Sequence, residues 1–187
     1  SYPISLARGA YWLGQSYENL GEKDFANKFY SEAAEFPMTY YGQLAFNKIN
    51  PGGNFKLVDQ SFFSKEYEKE FKKNKLIRHI ILLKELDATQ LGKDIFKHLA
   101  ELNIENGSEV LAAELATRVE RYDFAIQISK RASYKKRFYN RYNYPIIATP
   151  KTVNNKTMPK QEIVLAIIRQ ESEFDRKANS WAGARGM

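Results

Sequence analysis

Hydrophobic residues recur every three or four positions through most of this chain, which is the spacing of amphipathic helices. Alternation at period two never persists, so the sequence contains no strand of ordinary length. The pattern predicts helices at residues 4–20, 23–35, 61–72, 75–86, 88–102, 108–121 and 123–135, and a further helix that begins near Pro159. Because the connections between them are short, we expect an all-α fold.

The first two predicted helices form a hairpin with a recognisable spacing. Small and large residues fall at characteristic positions along it: Leu13, Gly14, Tyr17, Gly21, Ala26, Tyr30 and Ala33, with Pro37 just beyond. This arrangement resembles a tetratricopeptide-type helix pair, in which the small residues let two helices approach and the large ones fill the seam. One such pair cannot bury both of its faces, so we expect it to stack on neighbouring helices.

Two breaks divide the chain into three predicted segments. Residues 50–54 read Asn-Pro-Gly-Gly-Asn, the strongest run of helix breakers, and residues 150–157 form a polar connector. We therefore predict a tetratricopeptide-like superhelical hairpin at 1–49, a helical linker array at 50–149 and the start of a third domain at 150–187.

The charge balance favours anionic partners. Lys and Arg number 29 against 22 Asp and Glu, a net charge of +7, which suits nucleic acid, a membrane or envelope surface, or cell wall, but a solvated basic surface explains it equally well. Residues 134–144 interleave bases with aromatic rings, as nucleic-acid-binding and sugar-binding surfaces do. With no cysteine and only His79 and His98, disulfides, thiolate metal sites and a His-rich metal site are excluded.

The last predicted helix carries an acid in an unusual place. Pro159 suits a first helical position, and Glu162 lies in the first turn, where an anion is favoured. Val164, Ile167, Ile168 and Glu171 follow at helical spacing, so a carboxylate occupies the predicted core-facing stripe. Apolar surroundings favour the protonated carboxylic acid, the form that a general acid needs. The alternative is a carboxylate that faces solvent or pairs with Arg169 or Arg185.

The residues around Glu171 resemble the opening of the catalytic domain of the soluble lytic transglycosylases, enzymes that cut bacterial peptidoglycan. The matching residues are Arg169-Gln170-Glu171-Ser172, then Phe174, Ala178, Ser180 and the run from Ala182 to Met187. Residues 39–45, Thr-Tyr-Tyr-Gly-Gln-Leu-Ala, independently resemble the helical superhelix that precedes this domain in the larger members. The family continues Gly-Leu-Met-Gln, whereas Met187 stands here at the Leu position.

The resemblance implies a fold, a reaction and a location. It implies a superhelical array that leads into the first helix of a lysozyme-like catalytic domain, with Glu171 as the single acid/base and Ser172 and Ser180 beside the substrate. The enzyme would cleave the β-1,4 bond between N-acetylmuramic acid and N-acetylglucosamine, form a 1,6-anhydro ring, and use neither metal nor cofactor. Its partners would be peptidoglycan glycan strands, with no nucleic acid, and its location the periplasm. Tyr144-Pro145 would then serve packing and a hinge.

The ends of the chain suggest a piece of such a protein. Ser1 is not an initiator Met and no signal peptide follows it, and the family's motif breaks off at Met187, so we expect trimming at both ends. We therefore expect the 187 residues alone to be inactive, with a loosely held tail from Ser172 and few neighbours for Phe174 and Trp181. Two other classes stay open: a helical-repeat binding scaffold without catalysis, and a basic nucleic-acid binder.

Overall fold

The chain folds as helices joined by short turns, as its hydrophobic periodicity requires. The computed structural model describes residues 2–185, so Ser1 and the last two motif residues, Gly186 and Met187, lie outside the described part. Ten α-helices and a two-stranded antiparallel sheet occur within residues 2–185. The predicted all-α class is therefore confirmed.

The elements have the following bounds. The helices are α1 Pro3–Asn19, α2 Lys23–Ala34, α3 Tyr40–Ile49, α4 Lys65–Lys72, α5 Lys75–Glu85, α6 Lys93–Glu101, α7 Ser108–Arg118, α8 Tyr122–Ser133, α9 Asn140–Asn143 and α10 Gln161–Glu171. Short 3-10 helices lie at Thr89–Gly92 and Ile104–Asn106, and the strands are β1 Thr152–Val153 and β2 Lys156–Thr157. The chain divides into two units, Ser1–Val58 with Ser133–Lys136, and Asp59–Ala132 with Arg137–Met187.

In the first unit, α1, α2 and α3 pack together around the ring of Tyr30. A methyl group at Gly14 would lie 2.7 Å from that ring, so glycine is needed for the two helices to approach so closely. The Tyr30 hydroxyl donates a 2.6 Å hydrogen bond to Glu18, and Lys48 lies 2.8 Å from the same carboxylate oxygen. These contacts join the three helices, and Thr39 caps α3 by accepting from the Gly42 N–H at 3.0 Å.

Helix α7 is the centre of the second unit. Its buried residues occupy every side of the helix: Ser108, Glu109, Val110, Leu111, Ala112, Ala113, Leu115 and Ala116. A helix buried all round must be covered by neighbours on all sides, and α4, α6 and α9 contact it directly. At its start, the Ser108 hydroxyl donates a 2.6 Å hydrogen bond to the carbonyl of Ala100 at the end of α6.

A buried acid of α7 ties the segment after α8 to the core. Glu109 is 7% exposed and accepts two hydrogen bonds from Arg137, at 2.9 and 2.8 Å. The hydroxyl of Tyr139 donates a third, at 2.9 Å. Because all these donors face one carboxylate, the ion pair is both bidentate and sheltered from water, which makes it stronger than a surface pair.

This cluster should make the stability of the second unit sensitive to high pH. Burial, followed by the charge of Glu109, raises the pKa of Tyr139 to about 12, against about 10 for a free tyrosine. The folded protein holds this proton more tightly, so the stabilisation is complete below pH 10 and is lost as the pH rises from 10 through 12. We expect Tyr139→Phe to flatten the fall of the urea midpoint between pH 9 and 12, whereas Tyr40→Phe, at an exposed tyrosine, should leave the slope unchanged. Equal slopes for wild type and Tyr139→Phe would contradict this.

Several predicted boundaries were wrong. The helix predicted at 61–72 begins only at Lys65, because Ser64 caps it by accepting from the Tyr67 N–H. The helix predicted at 88–102 is divided into a 3-10 turn and α6. Helix α3 was not predicted, and the connector at 150–157 contains the β1–β2 hairpin, whose turn residues Asn154 and Asn155 have φ of 49° and 60°. Asparagine tolerates that conformation, which the favoured two-residue hairpin turns require.

The aromatic and basic segment at 134–144 is partly buried, while Tyr134 and Tyr144 at its two ends are exposed. Tyr139 and Tyr142 are 5% and 3% exposed, and the guanidinium of Arg141 lies 4.8 Å from the Tyr142 ring centre. Burial raises the pKa of Tyr142 to about 12, although the charge of Arg141 opposes the rise. Of the Tyr144-Pro145 pair predicted to serve packing and a hinge, Pro145 is buried and Tyr144 is 38% exposed.

Candidate active site

The last helix, α10, is fixed at its start and packs on one face only. The Gln161 side chain donates a 2.7 Å hydrogen bond to the carbonyl of Ile147, so the helix begins against the segment that precedes the hairpin. Val164, Leu165 and Ile168 are half-buried and form the packed face. The helix has no side-chain N-cap, and Glu162 is the only acid in its first turn.

The opposite face of α10 is an exposed apolar strip, formed by Ile163, Ala166 and Ile167. Ile163 is 51% and Ile167 57% exposed. Glu171 lies one further turn along, so the strip leads directly to the carboxylate, and together with Glu162 and Gln170 these residues line a shallow open groove.

The prediction that Ile167 and Glu171 face the core was therefore wrong. Helical spacing placed them beside Val164 and Ile168, but only those two are covered by other described residues. Packing surrounds just part of the helix circumference, because the described chain supplies neighbours on one side of α10. Glu171 is exposed, at the open end of the apolar strip.

The carboxylate of Glu171 accepts no hydrogen bond and joins no ion pair among residues 2–185. Its neighbour Arg169 is held elsewhere, because it donates to the Asn143 carbonyl at 3.0 Å and to the Asn143 side chain at 2.9 Å. A third Arg169 nitrogen lies 3.3 Å from Glu173. Of the two cations proposed as partners for Glu171, neither Arg169 nor Arg185 pairs with it in the described part of the chain.

Among the described residues, Glu173, and not Glu171, forms ion pairs with the nearby cations. Lys130 of α8 lies 2.9 Å from the same Glu173 oxygen that Arg169 contacts. The Ser172 hydroxyl donates a 3.3 Å hydrogen bond to the carbonyl of Ile168, in the last turn of the helix. The side chains next to Glu171 are thus engaged in local structure, and the Glu171 carboxylate is left to solvent.

Ser180 lies in a tight turn that follows the helix. Its hydroxyl accepts a 3.0 Å hydrogen bond from the Ala184 N–H, and its own N–H donates to the Ala184 carbonyl at 2.8 Å. Gly183, with φ of 83°, allows the chain to turn back. No hydrogen bond within residues 2–185 joins Ser172 or Ser180 to the Glu171 side chain.

The tail after α10 differs from what the sequence predicted. Phe174 is 4% exposed, and its ring centre lies 6.3 Å from that of Tyr122. The prediction that Phe174 would lack neighbours was therefore wrong, since the junction of α7 and α8 supplies them. Trp181 is fully exposed, as predicted.

Sequence reasoning missed Asn143 and Lys130, which contact Arg169 and Glu173 on either side of Glu171 in the chain. Asn143 and Lys130 lie in other helices, and only the tertiary fold brings them to α10. The i to i+4 spacing of Arg169 and Glu173 was the one local signal available.

Comparisons with known proteins add no relative. No protein-family model matches this chain, and a search of curated proteins finds no match.

Each helix in residues 2–185 is too short or too polar to cross a bilayer. In the same residues, no three histidine, aspartate or glutamate side chains come together as candidate metal ligands.

Proposed function

We propose that the protein is a lytic transglycosylase that cleaves the β-1,4 bond between N-acetylmuramic acid and N-acetylglucosamine in peptidoglycan. The observation that carries this proposal is the Glu171 carboxylate at the end of an exposed apolar strip, with no partner among the described residues. The sequence around Glu171 resembles that of the soluble lytic transglycosylases. The exposed Glu171 carboxylate is a group that a bound sugar can reach.

The absence of a cation at Glu171 matters for its chemistry. A guanidinium in contact with a carboxylate favours the charged form and so opposes proton donation. Arg169 is only two residues away, but its hydrogen bonds to Asn143 and its ion pair with Glu173 direct it elsewhere. Glu171 is therefore free to exchange a proton with a ligand that covers the strip.

The proposed reaction uses this one carboxyl group twice. Protonated Glu171 gives its proton to the glycosidic oxygen, and the bond from that oxygen to C1 of N-acetylmuramic acid breaks. The resulting carboxylate then takes the proton from the C6 hydroxyl of the same sugar, while O6 bonds to C1. The products are a free 4-hydroxyl on N-acetylglucosamine and a 1,6-anhydro ring, and no water is consumed.

The other nearby acids support a mechanism with a single carboxylate. Ordinary glycosidases place two carboxyl groups across the bond, one of them as base or nucleophile. Glu173 is engaged by Lys130 and Arg169, and Asp175 accepts a 2.9 Å hydrogen bond from the Lys177 N–H. Neither is available as a second catalytic group without losing these contacts.

A helical binding scaffold is the second candidate function. It is favoured by an aromatic surface on the first unit, where Trp12 and Tyr40 are 53% and 69% exposed and both pack on Tyr41. A nucleic-acid binder has less support, because two of the four tyrosines of the aromatic and basic segment, Tyr139 and Tyr142, are buried and cannot stack on bases.

The products of digestion separate these functions. Full-length gene product is incubated with purified peptidoglycan in water enriched in oxygen-18, and the released fragments are analysed by mass spectrometry. We expect anhydro-muropeptides that carry no oxygen-18, because O6 and not water attacks C1. Reducing ends labelled with oxygen-18 would indicate a hydrolase, and binding without release would indicate a scaffold. Salt-dependent binding to duplex DNA would favour the nucleic-acid function.

A further inference from the structure

We propose that Phe174 is a positioning residue for Glu171, which fixes the direction of the acid by anchoring the turn directly after α10. The inference rests on the proposed function for its catalytic consequence. Its structural basis is independent of that function, and consists of the burial of one ring, the backbone of the turn and the contacts on both sides of it.

Phe174 is the only fully buried residue between Ser172 and Arg185 in the described chain. Its ring packs beside Tyr122, the first residue of α8, and lines a cleft together with Val119, at the end of α7. Val119 is itself 6% exposed, so the ring inserts at a junction that belongs to the core. A large aromatic side chain at such a place holds its backbone firmly.

The backbone of the turn adopts a conformation that needs this support. Glu173 and Phe174 have φ of 50° and 64°, in the left-handed region that residues with a Cβ avoid. Two consecutive residues of this kind persist only where the surrounding structure determines them. The buried ring of Phe174 is the largest such determinant in the turn.

Ionic contacts reinforce the anchor on both sides. Before it, Glu173 contacts Lys130 at 2.9 Å and Arg169 at 3.3 Å. After it, Arg176 lies 3.5 Å from Glu120, and Lys177 contacts the Asp87 carbonyl at 3.5 Å. The contacts of Arg176 and Lys177 are exposed and weak, and the ion pairs of Glu173 are only partly buried, so these contacts align the chain but do not replace the ring.

The anchor determines where Glu171 points, because Glu171 is the last residue of α10. The next residue, Ser172, leaves helical geometry, while its N–H still donates to Ile168 at 3.0 Å. If the ring were removed, Glu173 and Phe174 would no longer be held in the left-handed conformation. The last turn of α10 would then fray or extend. Either change would displace the acid from the end of the apolar strip.

Kinetics of the full-length gene product on peptidoglycan test this role. We expect Phe174→Ala to lower kcat about 100-fold with little change in KM, since a displacement of about 1 Å in a catalytic group has an effect of that size. Phe174→Leu, which keeps an apolar anchor, should recover most of the rate. The matched control is Phe62→Ala, which removes a 68% exposed ring from the same unit and should keep the wild-type rate.

Hydrogen exchange supplies a readout that does not depend on activity. In Phe174→Ala, amides of residues 172–178 should exchange at least ten times faster, while those of α7 keep their protection. Wild-type kcat or unchanged exchange in Phe174→Ala would overturn the proposal, and so would a Phe174→Leu variant no better than alanine. If Glu171→Gln keeps its activity, the proposed function fails, but the exchange result still decides whether Phe174 anchors the turn.

Discussion

Replacing Gly107 with alanine is expected to lower the free energy of unfolding of the second unit by roughly 2–5 kcal/mol. Gly107 has φ of 94°, and a left-handed conformation at a residue with a Cβ costs roughly 1–2 kcal/mol. The new methyl group would also lie 2.4 Å from the Phe62 carbonyl oxygen and 2.6 Å from the Phe63 Cα. Because these are backbone atoms, a rotamer change cannot relieve the clash, and overpacking adds roughly 1–3 kcal/mol.

The location of Gly107 makes the effect global. It directly precedes α7, the buried centre of the unit, and the Ser64 N–H donates to the Asn106 carbonyl at 3.1 Å beside it. Moving the turn to make room would shift the start of the central helix against α4 and α6. We therefore expect loss of cooperative unfolding or a much lower urea midpoint, measured by circular dichroism.

A second glycine in the same unit separates the two contributions. Gly183 has a similar φ of 83°, but a methyl group there would have no atom of residues 2–185 within 4 Å, apart from its two chain neighbours. Gly183→Ala should therefore show only the smaller conformational cost. Equal losses of stability in the two variants would mean that steric contact at Gly107 contributes nothing.

The all-α class and most of the helices followed from the sequence, because amphipathic spacing is a local property. Gly107, which follows Asn106, has φ of 94°, and such an Asn-Gly pair is a local turn signal of the same kind. Helix α3 was missed although Thr39 provides a cap, because its apolar positions are interrupted by Gly42 and Gln43. The β1–β2 hairpin pairs only two residues per strand, too few to give a period-two pattern.

The sequence predicted the local features of the candidate site, but not the contacts between distant segments. The position of Glu171 at the end of a helix and beside apolar residues was local information, and it is observed. Which face of α10 is covered depends on tertiary neighbours, so the phase argument placed Ile167 in the core incorrectly. The binding of Arg169 by Asn143 and the burial of Phe174 against Tyr122 join distant segments, and periodicity carries no information about either.

Glu171→Gln is expected to reduce the release of anhydro-muropeptides by the full-length gene product roughly 10²–10⁴-fold, the range for loss of a general acid–base group. Glutamine keeps the size and polarity of the side chain but cannot give a proton to the glycosidic oxygen or take one from the C6 hydroxyl. Both proposed steps therefore fail together. Since binding contacts are preserved, affinity for peptidoglycan in a sedimentation assay should stay within a few fold of wild type.

Two further variants test whether the effect is specific to the Glu171 carboxylate and whether it depends on the distance of that group from the substrate. Glu171→Asp keeps the acid but withdraws it by about 1.5 Å, one carbon–carbon bond, and should lose about 100-fold because proton transfer depends on hydrogen-bond distance. Glu105→Gln makes the same change of an exposed acid outside the groove, and should leave the rate unchanged. Glu171 exposes its carboxylate and has no partner among residues 2–185, so none of these changes removes a native contact and all variants should unfold at the wild-type midpoint. A Glu171→Gln protein that releases anhydro-muropeptides at the wild-type rate would exclude Glu171 as the catalytic acid, whatever the sequence around it resembles.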